Sequence, residues 1–383
     1  VSTGTTALFS RHWGAREYSV ACSVLNRSIA VAFLLSLVFA VLIGSAAPLL
    51  AAQLGMQGDG LAIATRYLRF EAVGFLFTGV TLAGAAALRG SGDTRTPMFI
   101  LGTVSVVNAI ASCLFVFGPG PLPQLGVDGI VGGTIVARAC GGILMLCTLC
   151  RGRNELRLSR SEMRFWDPLV RRIVRIGLPA VVDGICTWSG HYLFLGIIGR
   201  LSAGPVAAAA HMVGIRVEEL GYLPALAFGI ASAALIGQSL GRGDEASARR
   251  IGQLAALFGG TLAAAVGVGF YFAAPWICSW MHADPVVQEI GVPAFRAMAF
   301  FQAPLAVAIV YTQALRGAGD TRSPMAIALI SVYLVRVPLA WYFGIHLDMG
   351  LLGAWFGMFA DISLRALLLF LRYASGRWLN TRV

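Results

Sequence analysis

Ten long apolar segments, separated by short polar ones, follow one another along almost the whole sequence. A helix that crosses a bilayer needs about 20 mostly apolar residues, and each segment reaches that length. The chain is 57% hydrophobic and 12% charged, whereas about a quarter of the residues of a soluble domain are charged. The sequence therefore predicts an all-α polytopic membrane protein and leaves no room for a separate soluble domain.

An internal repeat divides the chain into two related parts. The segment ALRGSGDTRTPM at 87–98 recurs as ALRGAGDTRSPM at 314–325, an offset of 227 residues, and the same offset aligns Arg69 with Arg296. Self-similarity at a fixed offset indicates a duplicated structural unit. We therefore expect two pseudo-symmetric helical bundles.

The two copies differ at their beginnings. Two helices precede the polar segment GRGDEASARR at 241–250, whereas the equivalent stretch of the first copy begins almost at Val1. The expectation is that roughly 60 residues with two further spans precede Val1, so that about ten spans are present of an expected twelve. The expected domains are an N-terminal lobe of about four spans at 1–150, a cytoplasmic linker at 151–169 and a C-terminal lobe of six spans at 170–383.

The arginines predict how the chain lies in the membrane. All 29 basic residues are arginine; 20 lie in one alternate set of connections, which includes both termini, and the opposite set holds only Arg200. By the positive-inside rule, a multi-pass protein of the cell (inner, cytoplasmic) membrane with both termini in the cytoplasm is expected. Membrane lipid is the partner that such a distribution favours, and a nucleic acid, which would need a continuous basic surface, is not expected.

Cysteine and histidine placement points to neither a metal site nor a redox site. The seven cysteines are scattered through apolar segments, and the C-x-x-C formed by Cys147 and Cys150 has no second pair or histidine nearby. We expect no metal and no cofactor, and the chain contains no H-E-x-x-H or paired aspartates for an intramembrane enzyme.

The repeated Gly-rich loop is predicted to be structural. It lacks the lysine and the spacing of a phosphate-binding loop. Its glycines allow sharp turns, its aspartate can cap the next helix, its proline suits a first helical turn, and its arginines suit cytoplasmic headgroups. These residues are Arg89, Gly90, Gly92, Asp93, Arg95 and Pro97 in the first copy and Arg316, Gly317, Gly319, Asp320, Arg322 and Pro324 in the second.

Three motifs together resemble one known family. The doubled LRGxGDTRxPM loop, IGLPAVVD at 176–183, and AAH at 209–211 followed by GQSLGRGDEASARR resemble the MATE (multidrug and toxic compound extrusion) family along the whole chain. The resemblance implies a secondary active antiporter that exports amphipathic, often cationic organic compounds such as drugs and toxins. It also implies that the coupling ion is H⁺ or Na⁺.

Ionisable groups inside spans are costly and are therefore candidate functional groups. Asp183 follows Pro179 and is expected to be a deep, isolated carboxylate at an acidic position that many relatives carry. A carboxylate can hold either a proton or a cation, so the two compete. The candidate ion- and substrate-binding residues are Asp183, Glu218 and His211, with Trp188 and Tyr192 as aromatic partners for a flat organic cation.

Structural interpretations of the same kinds of residue stay open. Glu219 follows Arg216 by three positions and Asp361 precedes Arg365 by four, spacings at which ion pairs form within one helix. A lone histidine such as His211 can instead make one hydrogen bond between helices.

Two other functions remain as alternatives. A lipid-linked saccharide flippase or polysaccharide exporter of a related superfamily would share the two-bundle architecture but need a basic cavity. Only Arg138, Arg216, Arg336 and Arg365 lie well inside spans, which favours the exporter of organic cations. An inactive, truncated remnant is the second alternative. No obligate protein partner is expected, and the chain is interpreted as a monomer.

Overall fold

The computed structural model describes residues 1–53, 55–118, 124–152, 156–163, 165 and 167–381. Within these ranges, ten helical spans are long and apolar enough to cross a membrane, which confirms the predicted all-α polytopic membrane fold. The helices are α1 Ser2–Gly14, α2 Tyr18–Gln53, α3 Gly58–Gly90, α4 Arg95–Phe117, α5 Val127–Cys150, α6 Pro168–Ile198, α7 Gly204–Gly241, α8 Glu245–Met281, α9 Pro285–Gly317, α10 Arg322–Ile330, α11 Val337–Trp341 and α12 Gly350–Ala374.

The repeat is visible in the helix boundaries. Both ends of α3 and α9 differ by 227 residues, as do the first residues of α4 and α10 and of α2 and α8. Pro48 inside α2 and Pro275 inside α8 have the same offset. The duplicated sequence is therefore a duplicated arrangement of helices along the chain.

The beginning of the chain is helical although its sequence is polar. α1 and the first turns of α2 occupy the polar stretch up to Arg27. Arg27 is buried, and its guanidinium pairs with Asp167 at 2.6 Å and with Glu162 at 3.2 Å. Because these partners satisfy the buried charge, the helix continues through a residue that looked like a boundary.

The predicted linker is attached to the N-terminal helices. The Asn26 amide accepts from the Ser159 backbone N–H at 2.8 Å and donates to the Arg157 carbonyl at 3.3 Å. Gly4 lies against the backbone of Ile173, where a Cβ would meet the Ile173 carbonyl oxygen. Residues Arg153, Asn154, Glu155, Arg164 and Trp166 of this linker lie outside the described residues.

The chain divides into two compact units, Val1–Val174 and Arg175–Val383. In the first, a run of buried small side chains at Ala85–Ala87 allows close approach of neighbouring helices, as is usual in membrane proteins. In the second, aromatic rings form the core around Phe295, Trp355 and Phe359. A further apolar cluster contains Tyr373 and Trp378.

The span that begins with α10 is irregular. It is not one regular helix, because π-helical segments at Ser331–Arg336 and Tyr342–His346 flank the short α11. Pro338 lacks a backbone N–H, so a regular α-helical hydrogen bond to the carbonyl four residues earlier cannot form. Wider π-helical turns are one way to accommodate that loss, and they occur frequently at functional sites.

Candidate functional site

A buried ion cluster lies inside the C-terminal unit. The carboxylate of Asp361 on α12 accepts from Arg336 Nε at 2.8 Å and from Arg365 Nη2 at 3.1 Å. Arg365 also donates from Nε to the Ser331 hydroxyl at 3.3 Å. The Asp361 side chain is fully buried and that of Arg336 nearly so. Two elements, the first π-helical segment and α12, are thus joined through one carboxylate.

The cluster carries more positive than negative charge. Two guanidiniums share one carboxylate, which leaves one positive charge for other groups to balance. Glu218 on α7 lies near enough to Arg336 for their charges to interact. Its carboxylate makes no hydrogen bond or close ion pair with any described residue. Glu218, a sequence candidate, is therefore the acidic group available to this cluster.

Sequence spacing identified only half of the cluster. The four-residue spacing of Asp361 and Arg365 predicted their pair, which the structure contains. Arg336 had no partner in sequence because its carboxylate comes from the following helix. The only sequence signal was indirect: a buried arginine inside a span needs a counter-charge.

Asp183 is not isolated, contrary to the expectation from the sequence. It accepts a hydrogen bond from Nη2 of Arg316, which lies in the last turn of α9. Arg316 was assigned to the repeated loop, so the structure brings a candidate binding residue and a loop residue into one ion pair. The partner was missed because 133 positions separate the two residues. Arg316 Nε has no partner among the described residues, so the pair leaves one buried donor unsatisfied.

His211 is buried between aromatic rings. The indole Nε1–H of Trp355 donates to His211 Nδ1 at 3.2 Å, and the Phe194 ring also contacts the imidazole, with ring centroids 5.5 Å apart. Because an indole can only donate, Nδ1 must be unprotonated in this arrangement, and the proton of the neutral ring is on Nε2. This geometry is the hydrogen bond between helices that the structural interpretation described.

Trp188 and Tyr192 do not surround Asp183. Their side chains on α6 are 77% and 76% exposed, whereas Asp183 is 7% exposed. The ring of Trp188 has a tilted contact with His191, at 6.1 Å between ring centroids. The aromatic candidates and the carboxylate therefore lie in different environments on the same helix.

Glu219 and Glu71 are paired. Glu219 contacts Arg216 at 3.1 Å across three positions of α7, as the spacing predicted. Glu71 in the N-terminal unit pairs with Arg138 on α5 at 2.6 Å. Arg69, on the same helix as Glu71, donates to the Gly44 carbonyl at 3.3 Å. The Glu71–Arg138 pair therefore joins two helices and satisfies two partly buried charges.

The repeated loops have similar geometry in both units. Asp93 accepts from the Thr96 backbone N–H at 3.0 Å, and Asp320 accepts from that of Ser323 at 3.2 Å. Gly92 and Gly319 have φ of 95° and 94°. These positive values place the turns at these glycines, where a side chain would be strained.

Gly90 and Gly317 have a different role from the expected turns. Each is the last residue of its helix, in close packing: a Cβ would meet the Phe9 ring at Gly90 and the backbone of Ala233 at Gly317. The remaining loop residues occupy helix ends. Arg89 lies in the last turn of α3, Arg95 and Pro97 in the first turn of α4, and Arg322 and Pro324 in the first turn of α10.

A protein-family model matches most of this chain. The MatE model matches residues 1–114 and 179–342, well over half of the sequence and parts of both units. The chain belongs to the MATE family. The transporter family that the motifs resembled is thereby confirmed.

Individual MATE relatives match most of the chain. A probable multidrug resistance protein NorM of Thermotoga maritima is 29% identical over 378 residues, which cover 98% of this chain and 81% of that protein. The uncharacterized transporter YisQ of Bacillus subtilis is 25% identical over 383 residues, covering 99% and 83%. The MATE chain thus spans about four fifths of these relatives.

Solved structures agree on the fold. An outward-facing structure of a multidrug resistance MATE family transporter of the MOP superfamily gives a TM-score of 0.91 at 19% identity, covering 98% of this chain and 84% of that one. A MOP superfamily transporter from Pyrococcus furiosus, whose binding pocket is described as reversed in polarity, gives 0.92 at 19%, covering 100% and 84%. At this identity the similarity shows the MATE fold alone.

Proposed function

We propose that this MATE-family transporter is a secondary active antiporter that exports amphipathic, cationic organic compounds, such as drugs and toxins, in exchange for H⁺ or Na⁺. The proposal includes a monomeric protein in the cell (inner) membrane, with both termini cytoplasmic. Support comes from the similarity to NorM-named proteins over nearly the whole chain and from the carboxylates within the spans.

The coupling proposal depends on one observation, the unpaired carboxylate of Glu218 within the described part of the chain. It is half-buried on α7 and makes no hydrogen bond or close ion pair with the described residues, so its carboxylate is available to a proton or a cation. An ion bound there changes the charge balance beside Arg336. Such a site can bias a transporter only if the ion binds one conformation more tightly than the other.

Asp183 is proposed as a second ion- or substrate-binding carboxylate that works by exchange of partners. A cation that reaches Asp183 must replace Arg316, which already holds the carboxylate. The ion pair therefore lowers the affinity of Asp183 for a cation. When a cation binds, the Arg316 guanidinium at the end of α9 is released. Trp188 is proposed as an exposed stacking surface for the ring systems of the substrate.

The test is uptake of a fluorescent organic cation into proteoliposomes under an imposed proton or sodium gradient. We expect gradient-driven transport by the parent chain and a loss on the order of tenfold in Glu218→Gln, because the variant keeps the shape but not the ionisable group. Asp183→Asn should also lose transport. Glu219→Gln is the matched control, one position away on α7 and already paired with Arg216, and should transport like the parent.

A second candidate function has one observation in its favour. The net positive charge of the cluster around Asp361 suits an anionic substrate, such as a lipid-linked saccharide, better than a cation. If the well-folded parent moves no organic cation under either gradient but translocates a fluorescent anionic lipid-linked saccharide, the flippase function replaces the cation exporter. Loss of that activity in Arg365→Gln would tie it to the cluster.

A further inference from the structure

A groove of about 680 Å³ lies on the C-terminal unit between α6 and α11. Its walls include Tyr192 and Gly196 on one side and Pro338 and Trp341 on the other, and Arg200 lines it just beyond the last residue of α6. A Cβ on Gly196 would meet nothing within 4 Å, so the groove is open at the position where that side chain is missing. The four remaining lining residues are aliphatic: Leu193, Leu195, Ile197 and Val337.

Arg200 is exposed and makes no side-chain hydrogen bond or ion pair with any described residue. Asp348, in the connection between Trp341 and α12, accepts a hydrogen bond from the Ser202 hydroxyl at 3.2 Å. None of the nine residues that line the groove is acidic. In the C-terminal unit, the connections at this end of the helices are 199–203, 282–284 and 347–349, and Arg200 is their only arginine. A guanidinium without a protein partner is suited to bidentate contact with phosphate.

We propose that this groove binds one phospholipid with an anionic headgroup. The acyl chain lies along the apolar walls, and the phosphate contacts Arg200. Trp341 has an amphipathic ring of the kind that lies at the level of lipid headgroups. Eight residues separate Tyr192 from Arg200, about 12 Å along a helix, so an apolar chain and a phosphate of one molecule can reach both.

The anionic preference follows from the charges that line the site. Arg200 supplies one positive charge, and no lining carboxylate is present to hold the choline group of a zwitterionic lipid. A membrane lipid is favoured over a transported compound as the occupant because the groove belongs to membrane-crossing helices, where lipid is present at high concentration. The binding site does not depend on the direction or the coupling of transport.

The test is native mass spectrometry of the purified full chain, titrated with phosphatidylglycerol or phosphatidylcholine. We expect one tightly bound phosphatidylglycerol and weaker binding of phosphatidylcholine. Arg200→Gln should weaken phosphatidylglycerol binding roughly fivefold, since an arginine near a membrane surface contributes about that factor, and Arg200→Lys should retain most of it. Gly196→Trp should fill the groove and remove the tight site.

Gly184→Trp is the matched control, because Gly184 lies on the same helix, outside the groove, and also has nothing within 4 Å of its Cβ position. It should bind lipid like the parent, which shows that a large residue on α6 does not by itself disturb the fold. Unchanged phosphatidylglycerol binding in both Arg200→Gln and Gly196→Trp would overturn the proposal. Displacement of the bound lipid from the parent by a transported organic cation, with equal loss of cation binding in Gly196→Trp, would instead assign the groove to substrate.

Discussion

At the scale of single residues, charges inside the spans are mostly satisfied by partners that are distant in sequence. Asp361 binds two guanidiniums, Asp183 binds Arg316, and Glu71 binds Arg138. A charge in a low-dielectric interior is tolerated when it is paired and hydrogen-bonded. Glu218 has no such partner among the described residues, which is why it is the strongest candidate for reversible ion binding.

Replacing the shared carboxylate should destabilise the protein strongly. In Asp361→Asn, two arginines lose their counter-charge, and breaking a buried pair costs about 3–5 kcal/mol of unfolding free energy. Thermal unfolding of the purified chain in detergent measures the effect. Glu219→Gln removes an ion pair with exposed partners and should change stability by less than about 1 kcal/mol. Equal midpoints for the two variants would contradict a stabilising role of the cluster.

At the scale of helices, packing depends on small residues where two backbones approach. Gly317 faces the backbone of Ala233 on α7, and its repeat equivalent Gly90 faces the Phe9 ring on α1. The two glycines are equivalent in the repeat, but one is packed against a backbone and the other against a side chain. A backbone obstacle can move only with its whole helix, whereas a ring can rotate.

Alanine at these two glycines should therefore have unequal effects. Gly317→Ala should cost about 1–3 kcal/mol by overpacking, and Gly90→Ala should cost less. Gly102→Ala on α4 is the control, because nothing lies within 4 Å of its Cβ position, and it should be neutral or slightly stabilising. Unfolding midpoints of the three variants compare them directly. A midpoint of Gly317→Ala at or above that of Gly90→Ala would contradict the packing argument.

The start of α8 should be sensitive to acid. Hydrogen bonds from the Ser247 hydroxyl and backbone N–H lower the pKa of Asp244, which caps this helix. A depressed folded-state pKa means that the stabilisation is present above the usual aspartate pKa of about 3.9 and is lost as the pH falls through the lower folded value. Hydrogen exchange at the Ser247 amide should show a loss of protection at acid pH relative to Asp244→Asn, which cannot titrate. Parallel pH dependence in both proteins would disprove the effect.

At the scale of the whole molecule, the distribution of the arginines predicts which ends of the helices face the cytoplasm and which face the outside of the cell. Arg200 is alone at one end of the C-terminal unit, whereas the repeated loops, the 151–169 connection and the termini carry most of the others. Arginine-rich connections are retained in the cytoplasm during insertion.

Cysteine labelling in intact cells tests this orientation. In a background with the seven native cysteines replaced, Ser202→Cys should react with a membrane-impermeant thiol reagent, and Ser375→Cys should react only after lysis. Both serines are exposed in the folded chain, so access to the reagent depends on the side of the membrane. Labelling of Ser375→Cys in intact cells would reverse the orientation.

Much of the fold was predictable from the sequence because it rests on local or repeated patterns. Apolar segments of membrane-spanning length predicted the ten spans, and the 227-residue offset predicted the equivalence of α3 with α9. Helix starts near buried charges were less predictable. In α2, Arg27 looks like a helix boundary until its partners Glu162 and Asp167 are known.

The sequence by itself determined the membrane fold, the duplication and the family. The length of the apolar segments, the repeated segment and the family motifs all depend on residues that are contiguous in the chain. Only the tertiary structure decided which charges are paired. Arg336 pairs with Asp361 and Arg316 pairs with Asp183, whereas Glu218 has no close partner among the described residues. Trp188 and Tyr192, close to Asp183 along α6, were placed in exposed positions away from it. The physical reason is that the desolvation cost of a buried charge is offset by the opposite charge that helix packing brings nearest. Sequence spacing identifies that partner only when both residues lie on the same helix.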